Sequence, residues 1–253
     1  MFIFKSKKRN AFNCIMAILM FIISANSNAQ LKKPTLPDSI FSTYYHQRVS
    51  HFKTLPKTTN DIVFVGNSIS DGGEWSELFA DIHIKNRGIS GDISAGVLNR
   101  IDEIADRKPK KVFVMIGTND LSRNTSTDSI FKNITKITSY LKQESPSTKV
   151  YVQSVLPVND VHKKFGGHTS KGEQIKLLNA TLKQNAPTYN YTFIDLHSPF
   201  CDANGKLDKS LTNDGLHLTG NGYLLWKHLV YPYVFDLEIK PSLLPKPQQL
   251  KWD

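Results

Sequence analysis

An alternation of short apolar runs with longer segments of helical period constrains the fold of this chain more than any other feature, and it begins at Asp61. The apolar runs are rich in β-branched residues, and each is 5 residues long, a usual length for a strand. We predict strands at residues 62–66, 82–86, 112–116, 150–154 and 191–195. Several runs are apolar almost throughout, which is typical of strands covered by helices on both faces. The alternation therefore predicts an α/β domain with a mostly parallel sheet.

The segments that follow these runs carry apolar residues at helical spacing. One apolar stripe over residues 93–104 predicts a single helix, and a second over 130–141 follows capping candidates at 126–128. A third helix is predicted over about 173–186. The last is predicted to begin near Thr219 and to stop at Pro232.

The chain flanking this region is polar. Residues 30–60 are rich in Lys, Pro, Thr and Ser and predict an N-terminal surface extension with a short helical piece at 39–52. Residues 236–253 contain three prolines and predict an extended C-terminal tail. One domain over residues 61–235 accounts for the rest.

Residues 1–29 have the layout of a secretory signal peptide. Basic residues at positions 5 and 7–9 precede an apolar run at 14–23, and Ser-Asn-Ala at 27–29 offers the small residues that a signal peptidase reads. The apolar run is only 10 residues long, whereas a membrane-spanning helix needs about 20. We therefore expect cleavage after Ala29 and export to the periplasm or the cell exterior, without a stable membrane anchor.

The charge of the chain favours no polyanionic partner strongly. Removal of the four basic residues before Ala29 lowers the formal net charge from +10 to +6, and the remaining excess is spread along the chain. Its tight groups, at 108–111 and 163–164, lack the interleaved aromatic residues of a nucleic-acid module. These groups predict solvated surface and no nucleic-acid partner.

Cys201 is the one cysteine that would remain after cleavage. A single cysteine forms no internal disulfide and no cysteine metal cluster. We expect a structural thiol and a fold stabilised by its apolar core.

The first chemically suggestive segment is Gly-Asn-Ser-Ile-Ser at residues 66–70, directly after the first predicted strand. A serine at a tight turn between a strand and a helix projects its hydroxyl from the edge of the sheet. Taken alone, Ser68 is as easily a helix cap, and Ser70 stands where the nucleophile elbow of many hydrolases has glycine.

The second segment is Asn-Arg-Gly-Ile-Ser-Gly-Asp at residues 86–92, after the second predicted strand. Glycine lets the backbone approach a reacting atom closely. Gly91 stands just ahead of a predicted helix, where its N–H can point at an anion. The alternative is a pair of turn glycines.

The third segment is Gly-Thr-Asn-Asp at residues 117–120, after the third predicted strand. The amide of Asn119 can donate a hydrogen bond to a developing oxyanion, and such a donor is typically worth about a hundred- to a thousandfold in rate. An Asx-turn or helix cap is the structural alternative.

The fourth segment is Asp-Gly-Leu-His at residues 214–217, before the last predicted helix. An acid three residues ahead of a histidine can bond its Nδ1, which fixes the tautomer and leaves Nε2 free to take a proton. As a metal pair, Asp214 and His217 would lack nearby ligands.

Together these four segments resemble the blocks that name the SGNH, or GDSL-like, hydrolase family, in the family's order and over about residues 61–235. The nucleophile block of that family usually reads Gly-Asp-Ser, whereas this chain has Asn67 in place of the aspartate. The residues of the blocks are similar to those in the branch that contains platelet-activating-factor acetylhydrolases and carbohydrate O-acetylesterases. The resemblance implies a single three-layer α/β/α domain with a flavodoxin-like, five-stranded parallel sheet.

The resemblance also implies a set of roles. Ser68 would be the nucleophile, His217 the general base and then acid, and Asp214 the residue that orients His217. The backbone N–H groups of Ser68 and Gly91 and the side chain of Asn119 would form the oxyanion hole. No cofactor and no metal are implied.

Other side chains near the predicted strand ends are candidates for substrate contacts. They are Glu74, Trp75, Arg87, His162 and His168. Core packing is an equal alternative for the tryptophan, and a position in a surface loop is the alternative for the two histidines.

We therefore expect a secreted serine esterase that removes a short acyl group, in particular acetyl, from a carbohydrate such as an O-acetylated sugar or sialic acid. A short-chain lysophospholipase or thioesterase would use the same residues. A glycan-binding module without catalysis is the alternative from another class, and it would be expected to lack a member of the triad.

Overall fold

The computed structural model describes residues 37–238. Residues 1–36, which include the predicted signal peptide, and residues 239–253 lie outside the described residues. Five parallel strands form one sheet in the order β2-β1-β3-β4-β5. The strands are β1 Ile62–Gly66, β2 Ile84–Gly88, β3 Lys111–Met115, β4 Lys149–Gln153 and β5 Thr192–Ile194. This architecture confirms the predicted single α/β domain with its parallel sheet.

Helices follow the strands along the chain. The α-helices are α1 Thr43–Thr54, α2 Ser68–Asp71, α3 Trp75–Phe79, α4 Ser94–Asn99, α5 Ile101–Ala105, α6 Thr118–Ser122, α7 Thr127–Glu144, α8 Gly166–Thr169, α9 Gly172–Asn185 and α10 Gly220–Val234. Short 3₁₀ helices occupy Asp38–Ile40, Asp160–His162, Ser198–Phe200 and Lys209–Leu211. Within residues 37–238, no helix combines the length and the apolarity that crossing a membrane requires.

The second strand differs from the prediction because β2 starts two residues later than residue 82. The carboxylate of Asp81 accepts the backbone N–H of His83, and the N–H of Ile84 donates to the carbonyl of Asp81, so a turn precedes the strand. Ile82 is consequently 78% exposed, whereas Ile84 is 2% exposed. Both are isoleucines, and hydrophobicity alone does not distinguish them. The other four strands begin within one residue of their predicted starts.

The predicted helix over residues 93–104 is two helices, α4 and α5. The chain leaves helical geometry at Arg100, with φ −106° and ψ 11°. The buried guanidinium of Arg100 bonds the carboxylate of Asp92 and donates to the carbonyl of Arg87 at 2.8 Å. Arg100, the residue at the break, therefore connects this point of the chain to the end of β2 and to the loop that follows it.

The last helix passes its proline. We expected Pro232 to stop it, but α10 continues to Val234 with Pro232 inside its final turn. Proline lacks one N–H donor, and so close to the end of a helix this removes a single backbone bond.

A row of aromatic rings packs on one face of the sheet. Phe64 of β1, Phe113 of β3 and Tyr151 of β4 are register neighbours, and their rings stack with centroids 4.8 and 4.6 Å apart. Trp75 stacks on Phe64 at 4.1 Å, and Trp226 of α10 meets Trp75 edge-on. This packing joins α3 to β1 and α10 to α3, so it fixes β1 and α3, the segments before and after the nucleophile block.

The N-terminal helix α1 packs against the loop that follows β2. Its residues Tyr45 and Phe52 form a small buried cluster with Ile89. The hydroxyl of Tyr45 donates to the carbonyl of Gly96 at 2.9 Å. The described part of the predicted surface extension thus contacts the glycine block directly.

Candidate active site

Ser68 is the first residue of α2, immediately beyond the carboxyl end of β1. The side chain of Asn67, which is 2% exposed, accepts the backbone N–H of Ile69 at 3.1 Å and so caps α2. A capping asparagine satisfies one of the free donors at a helix start, as an aspartate would. The departure of this chain from the usual Gly-Asp-Ser spelling therefore keeps the capping hydrogen bond.

His217 contacts Ser68 across 149 positions of sequence. The hydroxyl oxygen of Ser68 lies 3.1 Å from Nε2 of His217, and Nδ1 of His217 lies 2.8 Å from Oδ2 of Asp214. An ionised carboxylate only accepts hydrogen bonds, so Nδ1 carries the ring hydrogen and Nε2 accepts the hydroxyl of Ser68. The structure therefore joins these three residues in one hydrogen-bonded line.

The carboxylate of Asp214 is held in its charged form. Burial raises its pKa, but the bonds from the ring of His217 and from the backbone N–H groups of Leu216 and His217 outweigh burial, and the net pKa is lowered. Both N–H groups donate to Oδ1 at 2.8 Å, which leaves Oδ2 for the imidazole. The carboxylate is thus fixed in the orientation that the histidine requires.

Gly91 lies in an exposed turn after β2, with φ 80°. The N–H of Asp92 donates to the carbonyl of Ile89 and closes this turn, and α4 begins only at Ser94. The N–H of Gly91 is therefore presented by a turn that lies three residues ahead of α4. Arg123 donates to the carbonyl of Gly91 at 3.0 Å and supports the turn.

Asn119, in α6 after β3, is joined to that same turn. Its Nδ2 donates to the carbonyl of Asp92 at 2.8 Å, and the side chain is 7% exposed. The next residue, Asp120, accepts both the backbone N–H and the hydroxyl of Ser94. The asparagine block and the glycine block are thus held together by hydrogen bonds from neighbouring residues.

Two of the predicted substrate contacts are wrong, because their side chains are buried for structural reasons. Trp75 is 1% exposed within the aromatic core, and its indole N–H donates to the carbonyl of Ser70 at 2.8 Å. Arg87 is 3% exposed, pairs with Glu103 and lies over the ring of Phe52. Neither side chain is available to a substrate in this arrangement.

The other three candidates have different surroundings. Glu74 is exposed at the start of α3 and lines an open groove of about 450 Å³ with Tyr223 and Leu224. His162 is partly buried, and its Nε2 has no hydrogen-bond partner among residues 37–238. His168 contacts the site directly, since its Nε2 lies 2.9 Å from Oδ1 of Asn119.

Sequence reasoning missed Phe165. Its ring meets the ring of His217 edge-on with centroids 5.1 Å apart, and it meets His168 in the same way at 6.0 Å. The backbone of Phe165 is left-handed, with φ 50°, an uncommon conformation for a residue with a bulky side chain. The position of residue 165 in the loop after β4 was the only available signal, and that loop had drawn attention for its histidines alone.

Residues 37–238 contain no group of three or more His, Cys, Asp or Glu side chains arranged to hold a metal ion. Cys201 is a free thiol beside His197, and burial is the main cause that raises its pKa to about 11. A thiol with a raised pKa is a poor nucleophile at neutral pH. Ser68 is accordingly the better placed nucleophile.

The fold is a parallel five-stranded sheet within an α/β domain. The serine, glycine and asparagine blocks follow its first three strands, and the histidine block precedes its last helix. This combination defines the class of SGNH hydrolases. The chain belongs to the GDSL-like lipase/acylhydrolase family, whose model matches residues 64–225. It is therefore a hydrolase that acts on ester bonds.

The chain is also similar to individual proteins. The chain is 31% identical over 169 residues to platelet-activating factor acetylhydrolase IB subunit alpha2 of Rattus norvegicus, covering 64% of this chain and 71% of the relative. It is 30% identical over 182 residues to N-acylneuraminate cytidylyltransferase of Escherichia coli, covering 70% of this chain and 41% of that protein. A solved acylhydrolase structure from Bacteroides fragilis superposes with a TM-score of 0.66 at 28% identity, over 80% of this chain and 99% of the other.

Proposed function

We propose that this protein is an exported serine esterase that removes a short acyl group, in particular acetyl, from a carbohydrate through an acyl-serine intermediate. The observation that carries the proposal is the line from the hydroxyl of Ser68 to Nε2 of His217, at 3.1 Å, and from Nδ1 to Asp214, at 2.8 Å. A hydroxyl that donates to an oriented imidazole is the arrangement that activates serine as a nucleophile.

In the proposed reaction, the oxygen of Ser68 attacks the ester carbonyl carbon while Nε2 of His217 takes the hydroxyl proton. The tetrahedral intermediate then expels the alcohol, which leaves with the proton from His217. A water molecule attacks the acyl-serine in the same way and releases the acid. Asp214 stays ionised throughout and stabilises the imidazolium.

The developing oxyanion needs hydrogen-bond donors. The backbone N–H groups of Ser68 and Gly91 and the side-chain amide of Asn119 supply three in this proposal. Asn119 uses one Nδ2 hydrogen on the carbonyl of Asp92, and its second hydrogen is the one offered to the oxyanion.

A small apolar pocket supports the preference for acetyl. It has a volume of about 10 Å³, close to one water-sized sphere. It is lined by Asn67 and Ile69, which flank the nucleophile, by Leu216 beside His217, by Thr118 beside Asn119, and by Val155. A methyl group is of this size, whereas a propyl chain would require the buried walls to move.

The alcohol half of the ester is proposed from a relative and from the predicted export. One relative is named for N-acylneuraminate, an acylated sugar acid, although this chain covers only 41% of it. The predicted signal peptide adds an extracytoplasmic setting, in which we propose that the substrate is an O-acetylated glycan or sialic acid. Cleavage after Ala29 would leave Gln30 as the first residue, and the intact mass of the exported protein tests this.

The nucleophile is tested with Ser68→Ala and an aryl acetate. We expect kcat to fall by about a thousandfold or more, with the thermal unfolding midpoint unchanged, because only the attacking oxygen is removed. Ser76→Ala is the matched control, since Ser76 is exposed on α3. Undiminished turnover by the Ser68 variant would contradict the proposal.

The substrate is tested with a panel in which acyl length and alcohol vary independently. We expect acetyl esters to be preferred over butyryl esters, and O-acetylated sugars over lysophospholipids of the same acyl length. Val155→Ala enlarges the small pocket and should raise the relative rate on butyryl esters. A preference for longer acyl chains in the unaltered protein would favour a short-chain lysophospholipase or thioesterase instead.

A further inference from the structure

The side-chain amide of Asn119 has one orientation that satisfies both of its neighbours. On one side lies the carbonyl of Asp92, which can only accept, so the NH₂ group must face it at 2.8 Å. The oxygen Oδ1 then faces Nε2 of His168 at 2.9 Å, and this nitrogen must donate. His168 therefore carries a hydrogen on Nε2 and distinguishes the two ends of the amide.

This orientation matters because the amide would otherwise present the wrong atom. If the amide were turned over, Oδ1 would face the carbonyl of Asp92, and an acceptor would stand where the oxyanion needs a donor. The bond from His168 favours the orientation that leaves one Nδ2 hydrogen of Asn119 unused by the carbonyl of Asp92.

The surroundings of His168 hold its ring in place. Its backbone N–H donates to the carbonyl of Phe165 at 2.7 Å, and the ring of Phe165 lies edge-on to both His168 and His217. Burial is the main cause that lowers the pKa of His168, and its electrostatic interactions with His217 and Arg123 lower it further. The ring is accordingly kept neutral at neutral pH.

We propose that His168 is a positioning residue of the esterase site, which orients the amide of Asn119 so that it donates to the oxyanion. The inference rests on the proposed function and assigns a role that the four sequence blocks do not contain. It also replaces the expectation that His168 contacts the substrate.

A donor-matched pair of variants tests this role. In His168→Gln the side-chain amide nitrogen reaches about as far as Nε2 and still donates, whereas His168→Leu keeps similar bulk without a donor. We expect the leucine variant to lose about ten- to a hundredfold in kcat on an aryl acetate, with KM changed less than about threefold, because the lost interaction matters in the transition state. The glutamine variant should recover most of that loss.

A double-mutant cycle separates positioning from general loop packing. If His168 acts through Asn119, then His168→Leu should cost little further activity in a protein that already carries Asn119→Ala. An equal loss in both backgrounds would overturn the inference, as would a glutamine variant no better than the leucine variant or an unchanged kcat in the leucine variant.

The outcomes also separate this inference from the proposed function. An unaltered protein that fails to hydrolyse any ester of the panel, or a Ser68→Ala variant that remains fully active, removes the proposed function and this inference with it. An active enzyme that depends on Ser68 but is indifferent to residue 168 removes only the inference. Thermal unfolding of each variant shows whether an activity loss reflects folding.

Discussion

His217 uses its two ring nitrogens for two different partners. Nδ1 bonds the carboxylate of Asp214, and Nε2 faces the hydroxyl of Ser68. The hydrogen can occupy only one nitrogen of the neutral ring, so the carboxylate decides which nitrogen accepts the proton of the serine. In the proposed mechanism, the reaction therefore depends on a hydrogen bond that does not touch the substrate.

Asp214→Asn tests this dependence. The amide NH₂ would face Nδ1, which must then accept, and the ring hydrogen would move to Nε2, where it faces Ser68. We expect kcat to fall by about a hundred- to ten-thousandfold, measured on an aryl acetate.

The matched control is Asp208→Asn, because Asp208 caps a short 3₁₀ helix through Ser210 and makes no contact with the imidazole that the structure shows among the described residues. More than half of the original activity in the Asp214 variant would show that the carboxylate does not set the tautomer.

At the scale of the secondary-structure elements, Gly88 and Gly91 belong to one sequence block, but the structure requires glycine at each position for a different reason. Gly88 ends β2 opposite Gly66, and a side chain there would meet the backbone N of Asp71 in α2 at 2.1 Å. Gly91 has open space on that side and is constrained only by its φ of 80°. The first glycine permits a close approach of helix and strand, and the second permits a turn.

We predict that Gly88→Ala destabilises the protein more than Gly91→Ala. The methyl group of the first variant must displace backbone, which costs about 3 kcal/mol, whereas the second stores about 1 to 2 kcal/mol of conformational strain. Urea unfolding of both variants measures the difference. Equal losses of unfolding free energy would mean that α2 moves away from β2 at little cost.

At the scale of the whole molecule, the end of α10 is tied to the starts of two strands. The ammonium group of Lys111, which is buried at the start of β3, donates to the carbonyls of Tyr233 and Val234 at 2.7 Å. The carboxylate of Asp236 lies 2.8 Å from the ammonium groups of both Lys111 and Lys149. These contacts hold the end of the last helix against the amino ends of the strands, opposite the candidate active site.

The same cluster makes stability depend on acid pH. Hydrogen bonds from Lys111 and then Lys149 hold the pKa of Asp236 far below its ordinary value. The unfolded chain therefore binds this proton first as pH falls, so the stabilisation is complete above the unfolded pKa of about 3.9 and is lost as pH falls towards the folded value.

Asp236→Asn should lower the unfolding temperature at pH 7, and the gap to the unaltered protein should shrink as pH falls from about 5 to about 2. Asp128→Asn is the control, because Asp128 and its partner Lys132 are largely exposed and such pairs contribute little. A gap that stays constant across this pH range would contradict the role of Asp236.

The four blocks could be recognised in the sequence because strands and turns are specified by residues that are close together along the chain. A buried parallel strand is recognised by its own apolar residues, and the polar residue after it must lie at the edge of the sheet where ligands bind. Ser68 and Asn119 were predicted in this way, whereas the pair of Asp214 and His217 was predicted from its spacing of three residues before the last helix. Their order along the chain also carried the resemblance to the family.

The tertiary structure decided which residues face the site and which are buried. Ile82 and Ile84 are chemically identical, and only the pairing of β2 with β1 separates them. Trp75 stacks on Phe64 and Arg87 pairs with Glu103, so both side chains are buried. Sequence spacing does not reveal these contacts.

The sequence alone predicted the class of fold and the residues proposed to react, because both predictions follow from short-range patterns of apolar and polar residues. The contact of His168 with Asn119 joins positions 49 residues apart and depends on where the tertiary structure places the loop after β4. Burial and orientation depend on every segment that packs around a side chain, and no local pattern encodes them.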